Sequence, residues 1–229
     1  MVGNARSQAR LDQAAARLGN PSRFIGVASD IAEPTTAQQL FATALQMFGG
    51  VDILINNAGI FIAKPFAKCS EADVDALVGT NLKGFFYPAQ EAARVMARQG
   101  YGQIIAITAS IALQPDTRVP ALLPVLVKGG LNQAVKGLAL ELAASGVQVN
   151  AVAPGIIAPP PCMATMCRGW ARCRPVAAPA RPRMWWTPCC TWSIHVLSAA
   201  SSCLWMAAVP LAPGTDLRSV QPCLVYIFA

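Results

Sequence analysis

The chain has 229 residues, 54% of them hydrophobic, and a formal net charge of +7. That is long enough for one α/β domain with a sizeable core. The charge excludes nucleic acid as the expected partner: residues 1–158 hold 12 Lys+Arg against 10 Asp+Glu, whereas residues 159–229 hold six Arg and one acid, Asp216, so no patterned basic face results. All five Trp, seven of eight Cys and ten of eighteen Pro also fall after residue 158, so the two segments need separate readings.

Met1–Arg6 reads as a short strand, and Ser7–Leu18 places Leu11, Ala15 and Leu18 at helical spacing. Phe24–Ala28 is a short apolar run ending at Asp30, again a strand. Thr35–Phe48 sets Leu40, Ala44, Leu45 and Phe48 on one helix face, with Thr35 or Thr36 as cap and Gly49-Gly50 as the stop. Val51–Gly59, VDILINNAG, is a buried parallel strand running into a tight polar turn. Ligands in open α/β sheets sit at the carboxyl ends of such strands, so this turn is expected to face one. A helix from about Glu71 to Arg98 follows, then a strand at Gln103–Ile107 and a loop holding Pro115 and Pro120. Lys128–Ala144 reads as a long helix and Val147–Val152 as a last strand. Strands alternating with helices at this interval predict a Rossmann-like, doubly wound parallel sheet.

With these motifs in this order, residues 1–158 resemble the short-chain dehydrogenase/reductase family, Rossmann-fold oxidoreductases dependent on NAD or NADP. The resemblance implies hydride transfer between a nicotinamide cofactor and a small carbonyl or alcohol substrate. Asp30 matches an acid that contacts the adenine, and Asn56-Asn57-Ala58-Gly59 matches the family's NNAG turn, with Asn57, Ala58 and Gly59 on the cofactor. Asn81, in GTNLKG, matches the asparagine that holds a proton-relay water. Ser110, in ITASIA, matches the serine that hydrogen-bonds the substrate carbonyl. Lys128 matches the lysine that binds the ribose and lowers the catalytic tyrosine's pKa, and Pro154-Gly155 the turn beside the nicotinamide. Arg6 stands where a ribose or 2′-phosphate would be read.

Two departures matter. The family's tyrosine precedes the lysine by four residues, so that both project from one helix face. Here that position is Pro124, which has no proton to give a developing alkoxide. The family also opens with a strand and a TGxxxGIG turn that seats the pyrophosphate at a helix N-terminus. No such turn occurs in the sequence, and about thirty residues of the family pattern are expected to be missing ahead of Met1. Because that strand is central in the order 3-2-1-4-5-6, its neighbours are expected to lack their common partner.

Residues 159–229 show no sustained period of 2 or 3.6, and cysteines 162, 167, 173, 189 and 190 show no CxxC pairing, so no metal site is expected. The composition suits GC-rich coding DNA translated out of frame. Met and Trp have single codons, so the third base of each codon joined to the next two can be read directly. Met184-Trp185-Trp186-Thr187 then gives Val-Val-Asp without choice, and 183–192 permits DVVDAVLYL, like the family's last core helix. Residues 204–208 permit the family's VDGG end strand, and Pro159–Met163 permits Thr-Pro-Met-His, which continues PGIIA. The shift is placed at about Ala158–Pro159, with an irregular tail beyond it. Cys189–Val209 is apolar enough to suggest a span, but it holds His195 and several Ser and lacks anchoring residues, so a membrane is not expected. The polar N-terminus shows no signal peptide, which places the thiols in a reducing cytoplasm. The expectation is an inactive oxidoreductase. The alternative is a dead binding or homo-oligomerisation module pairing through helices 71–98 and 128–144.

Overall fold

The computed structural model describes residues 1–155 and two later strands, 194–198 and 224–227. In chain order the elements are β1 (Val2–Ala5), α1 (Gln8–Arg17), β2 (Ile25–Ala28), α2 (Pro34–Phe48), β3 (Ile53–Asn56), α3 (Glu71–Leu77), α4 (Gly84–Gln99), β4 (Gly102–Ile107), α5 (Leu122–Leu142), β5 (Val147–Pro154), β6 (Ile194–Ser198) and β7 (Leu224–Ile227). The strands form one sheet in the order β2-β1-β7-β3-β4-β5-β6. Every pairing is parallel except β5 with β6. Parallel neighbours need crossovers, and α1, α2, α4 and α5 supply them among the first five strands.

The core follows from the apolar strands. Leu54 of β3, Ile104 of β4 and Val149 of β5 are buried on the sheet, and Leu40, Phe41, Ala89, Met96, Leu131 and Val135 cover them from the helices. Ser70 caps α3 with a capping box: its hydroxyl accepts from the Asp73 N–H while the Asp73 carboxylate accepts from the Ser70 N–H.

Four details depart from the sequence reading. Neither Thr35 nor Thr36 caps α2; Glu33 holds the cap position and Pro34 opens the helix, where its missing N–H costs nothing. Thr36 instead turns inward and donates its hydroxyl to the Asp30 carbonyl at 2.6 Å. The expected 71–98 helix is interrupted by a π-helical turn, Val78–Lys83. Helix α5 begins at Leu122, so Pro124 lies in its first turn, where proline is tolerated.

The fourth departure concerns the sheet's centre. The neighbours of the expected missing strand are β1 and β3, and they are not left open: β7 lies between them, parallel to both. Val225 is fully buried there, in the same core as Val2 and Leu54. Strand β6 pairs with β5 from Asn150↔Ser198 to Pro154↔Ile194. The segment after residue 158 thus contributes two strands, because unpaired backbone at a buried edge is costly and an apolar run that meets it gains a full hydrogen-bond ladder. The rest of that expected irregular tail lies outside the described residues.

Leu54 is a direct probe of this packing, since it is fully buried at the centre of the core. Leu54→Ala is expected to lower stability by about 2–5 kcal/mol in a guanidinium titration followed by circular dichroism. A loss below about 1 kcal/mol would contradict the burial.

Candidate active site

Two asparagine side chains organise the carboxyl end of β3. Pro88, inside α4, has no N–H to give the carbonyl four residues before it, that of Gly84. Asn56 takes that place: its Nδ2 donates to the Gly84 carbonyl at 2.7 Å. Gly84 also lies close against the loop after β2, since a Cβ there would lie 2.9 Å from Ile31 Cγ2. Asn81, in the π-helical turn, binds the loop after β3 from both atoms: Oδ1 accepts from the Ile60 N–H at 2.9 Å, and Nδ2 donates to the Ile60 carbonyl at 3.0 Å. Asn81 is 1% exposed. A π turn widens the helix by one residue and aims such a side chain inward, a device found often at functional sites.

Lys128 completes the group. Its Nζ donates to the Ile107 carbonyl at the end of β4 at 2.9 Å. Burial away from water lowers its pKa from 10.5 to about 8. Gly59 lies against both side chains: a Cβ at Gly59 would sit 2.9 Å from Asn81 Oδ1 and 3.1 Å from Lys128 Nζ. Gly59, Asn81 and Lys128 are therefore brought together, although Asn81 lies 22 positions and Lys128 69 positions after Gly59 in sequence.

Beside them is a small concavity of about 30 Å³ lined by Asn4, Arg6, Asp30, Ile31, Ala58, Gly59, Ile60 and Thr80. It gathers four sequence-predicted residues from three loops: Arg6, Asp30, Ala58 and Gly59. Asp30 Oδ1 accepts from the Ala32 N–H at 2.9 Å, which fixes the carboxylate at the rim. Asn57 is half-buried in the adjoining turn and is not part of this lining.

A second cavity, about 270 Å³, opens beside the first turn of α5. Lys64, Pro65 and Phe66 form one wall, and Ile111, Pro115–Thr117, Val119–Leu122 and Val125 form the other. Lys64 is held by Asp73, Nζ to Oδ2 at 2.6 Å, and hydrogen bonds from Lys64 and Ser70 pull the Asp73 carboxyl down to about 2. Ser110 opens the short helical turn that carries Ile111 into this wall, without lining the cavity itself. Pro124 is buried one residue before the lining residue Val125. Pro154 and Gly155, at the end of β5, lie in neither lining; Pro154 is in register with Ile194 of β6.

Sequence reasoning missed Asn4, whose Nδ2 donates to the carbonyls of Val27 and Ser29 at 3.0 Å each. A lone polar residue inside an apolar strand was the available signal. It also missed Thr80 and the Phe66 wall, which only the folded loops bring to the site.

Comparison with known proteins places this geometry. A family model described as short chain dehydrogenase matches residues 1–166. The chain belongs to the short-chain dehydrogenase family. It is 37% identical over 153 residues to nodulation protein G of Azospirillum brasilense, covering 64% of this chain and 60% of that protein. To an L-rhamnose 1-dehydrogenase (NAD(P)(+)) of Sphingomonas sp. (strain SKA58) it is 36% identical over 139 residues, covering 59% of this chain and 53% of that protein. Among solved structures, a gluconate 5-dehydrogenase from Burkholderia cenocepacia J2315 in complex with NADP and tartrate superposes with a TM-score of 0.64 at 28% identity, over 75% of this chain and 65% of that one. The chain thus spans between about half and three-fifths of the length of the curated relatives it matches.

The lowered lysine pKa has a stability consequence with a definite sign. Native Lys128 releases its proton near pH 8, whereas the unfolded chain holds it to about 10.5, so unfolding takes up a proton between these values. The burial penalty is complete below pH 8 and is relieved as pH rises through the window. The stability of the chain relative to Lys128→Met is expected to rise by up to about 3 kcal/mol from pH 7 to 10.5, read by urea denaturation at each pH. A flat difference would mean that the amine is solvated.

Proposed function

We propose that this chain is a short-chain dehydrogenase scaffold for a nicotinamide dinucleotide, NAD or NADP, and a small carbonyl or alcohol, in which proton transfer has been lost. The single observation that carries this reading is Pro124, buried one helical turn before Lys128. The amine keeps its buried setting and lowered pKa, yet no ionisable side chain stands four residues before it to receive its influence.

The residues fit the two ends of a dinucleotide and not its middle. Gly59, bare of a Cβ between Asn81 and Lys128, leaves a cradle for a ribose, and Arg6 with Asp30 offers charged and hydrogen-bonding partners to the adenosine end. For the pyrophosphate, the sequence holds no TGxxxGIG motif, and β7 stands between β1 and β3, where the strand leading into such a turn would lie. A bound nicotinamide would supply or accept hydride. The chain's own part is narrower: Lys128 holds a proton at Nζ against the Ile107 carbonyl, and Asn81 fixes the loop at Ile60.

The out-of-frame reading of residues 159–229 belongs to the same proposal, supported by the permitted DVVDAVLYL and VDGG readings. Sequencing the coding DNA tests it: one base restored near codon 158 should open the VDGG frame. Activity of the purified chain tests the rest. Nicotinamide-dependent turnover of secondary alcohols or carbonyls is expected to fall at least about 10²–10⁴-fold below that of a tyrosine-bearing relative. Turnover at the relative's rate would overturn the proposal.

A second reading, association between copies through α5, has its own observation. Leu126, Gly130, Gln133, Gly137 and Leu140 form a stripe at alternating spacings of four and three, and all five are exposed, Leu126 at 66% and Leu140 at 76%. Nothing lies within 4 Å of the Cβ positions at Gly130 and Gly137, so a second helix can approach closely. Sedimentation velocity is expected to give a dimer or larger species that Gly137→Glu returns to monomer; a wild-type monomer at all concentrations would exclude this reading.

A further inference from the structure

The centre of the sheet is held by β7, which follows β6 in the chain by 25 residues, 199–223. Leu224 is in register with Ile53; Val225 lies between Val2 and Leu54; Tyr226 between Gly3 and Ile55; and Ile227 between Asn4 and Asn56. The row Val2–Val225–Leu54 is fully buried across all three strands. The two flanking strands are placed without β7: β1 is paired to β2 over four residues, and β3 to β4 over four. The halves of the sheet therefore present two facing, preformed edges one strand apart.

We propose that the slot between β1 and β3 is a strand-binding site, whose ligand is an extended apolar peptide running parallel to both edges. Leu224–Ile227 is its resident, exchangeable occupant. Recognition by added strands divides into two parts: main-chain hydrogen bonds supply affinity for any extended peptide with free N–H groups, and side-chain pockets supply selectivity. Here a ladder is available on both sides, twice that of an ordinary edge. The selective position is the one Val225 holds, closed by Val2 and Leu54. A charged residue there would be buried without a partner, and a proline would remove an N–H from a central strand. The resident is part of the same chain, so its return to the slot is intramolecular, an advantage that a free peptide lacks. A free peptide competes poorly with an intact resident and well with a damaged one.

The test uses the full-length chain carrying Val225→Asp, which weakens the resident. The probe is a fluorescent peptide of residues 223–229 with Cys223→Ser, followed by anisotropy. Saturable binding to the variant is expected, at least about tenfold tighter than binding to the wild-type chain. It should also be at least about tenfold tighter than binding of a peptide with proline at the Val225 position. Hydrogen exchange should show Val2–Asn4 and Ile53–Asn56 losing protection in the variant and regaining it with peptide. A folded variant that ignores the peptide, or that binds the proline peptide equally, overturns the proposal. Should Val225→Asp fail to fold, Val225→Ala takes its place. In the wild-type chain, exchange of residues 224–227 as fast as in the free peptide overturns the proposal independently.

Discussion

The site depends on one constraint, the fastening of the turn after β3 to the long helical segment that crosses it. Strand β3 must end at the site, and its last residues must leave the sheet without losing their main-chain partners. Asn56 and Asn81 solve this from opposite sides. Asn56 reaches out to the carbonyl that Pro88 leaves open, and Asn81 reaches in to both polar groups of Ile60. Buried amides bonded in this way rigidify what they join, since breaking either leaves a desolvated group unpaired. The turn so fixed sets where Gly59 stands, and Gly59 sets how closely Lys128 and Asn81 approach.

Lys128 stands one helical turn after Pro124, in a setting that perturbs its amine. Burying an ammonium is unfavourable, and here the backbone carbonyl of Ile107 is its hydrogen-bond acceptor, with no carboxylate among the described residues to offset the desolvation. Such an arrangement costs stability and is ordinarily retained where a perturbed amine serves chemistry. Pro124 leaves the helix that carries Lys128 intact, because the first turn of a helix accepts proline.

At the centre of the sheet the position between β1 and β3 is filled by β7. A parallel sheet buried on both faces cannot tolerate a gap, since the facing edges would carry unpaired N–H and carbonyl groups out of reach of water. Strand β7 satisfies them with four residues. The backbone ladder asks little of sequence beyond extended, apolar, proline-free character. That is why a segment whose composition departs from the rest of the chain can still fill the central position.

The sequence by itself determined the alternation of strands and helices, the turn Asn56–Gly59, and the residues Asn81, Lys128 and Pro124, because these depend on local periodicity and on short spacings along one element. The 71–98 helix was legible as a helix, but its π turn was not, since the register of hydrogen bonds answers to packing around Asn81 and not to side-chain period. The 30 Å³ concavity was half legible: Arg6, Asp30, Ala58 and Gly59 carry motif signals, whereas Asn4 from β1 and Thr80 from the π turn join them only in the folded chain. Only the tertiary structure decided what stands between β1 and β3. A central parallel strand is chosen by the two edges it must pair, and those edges are distant from Leu224–Ile227 in sequence, so no local pattern in that segment could announce its place.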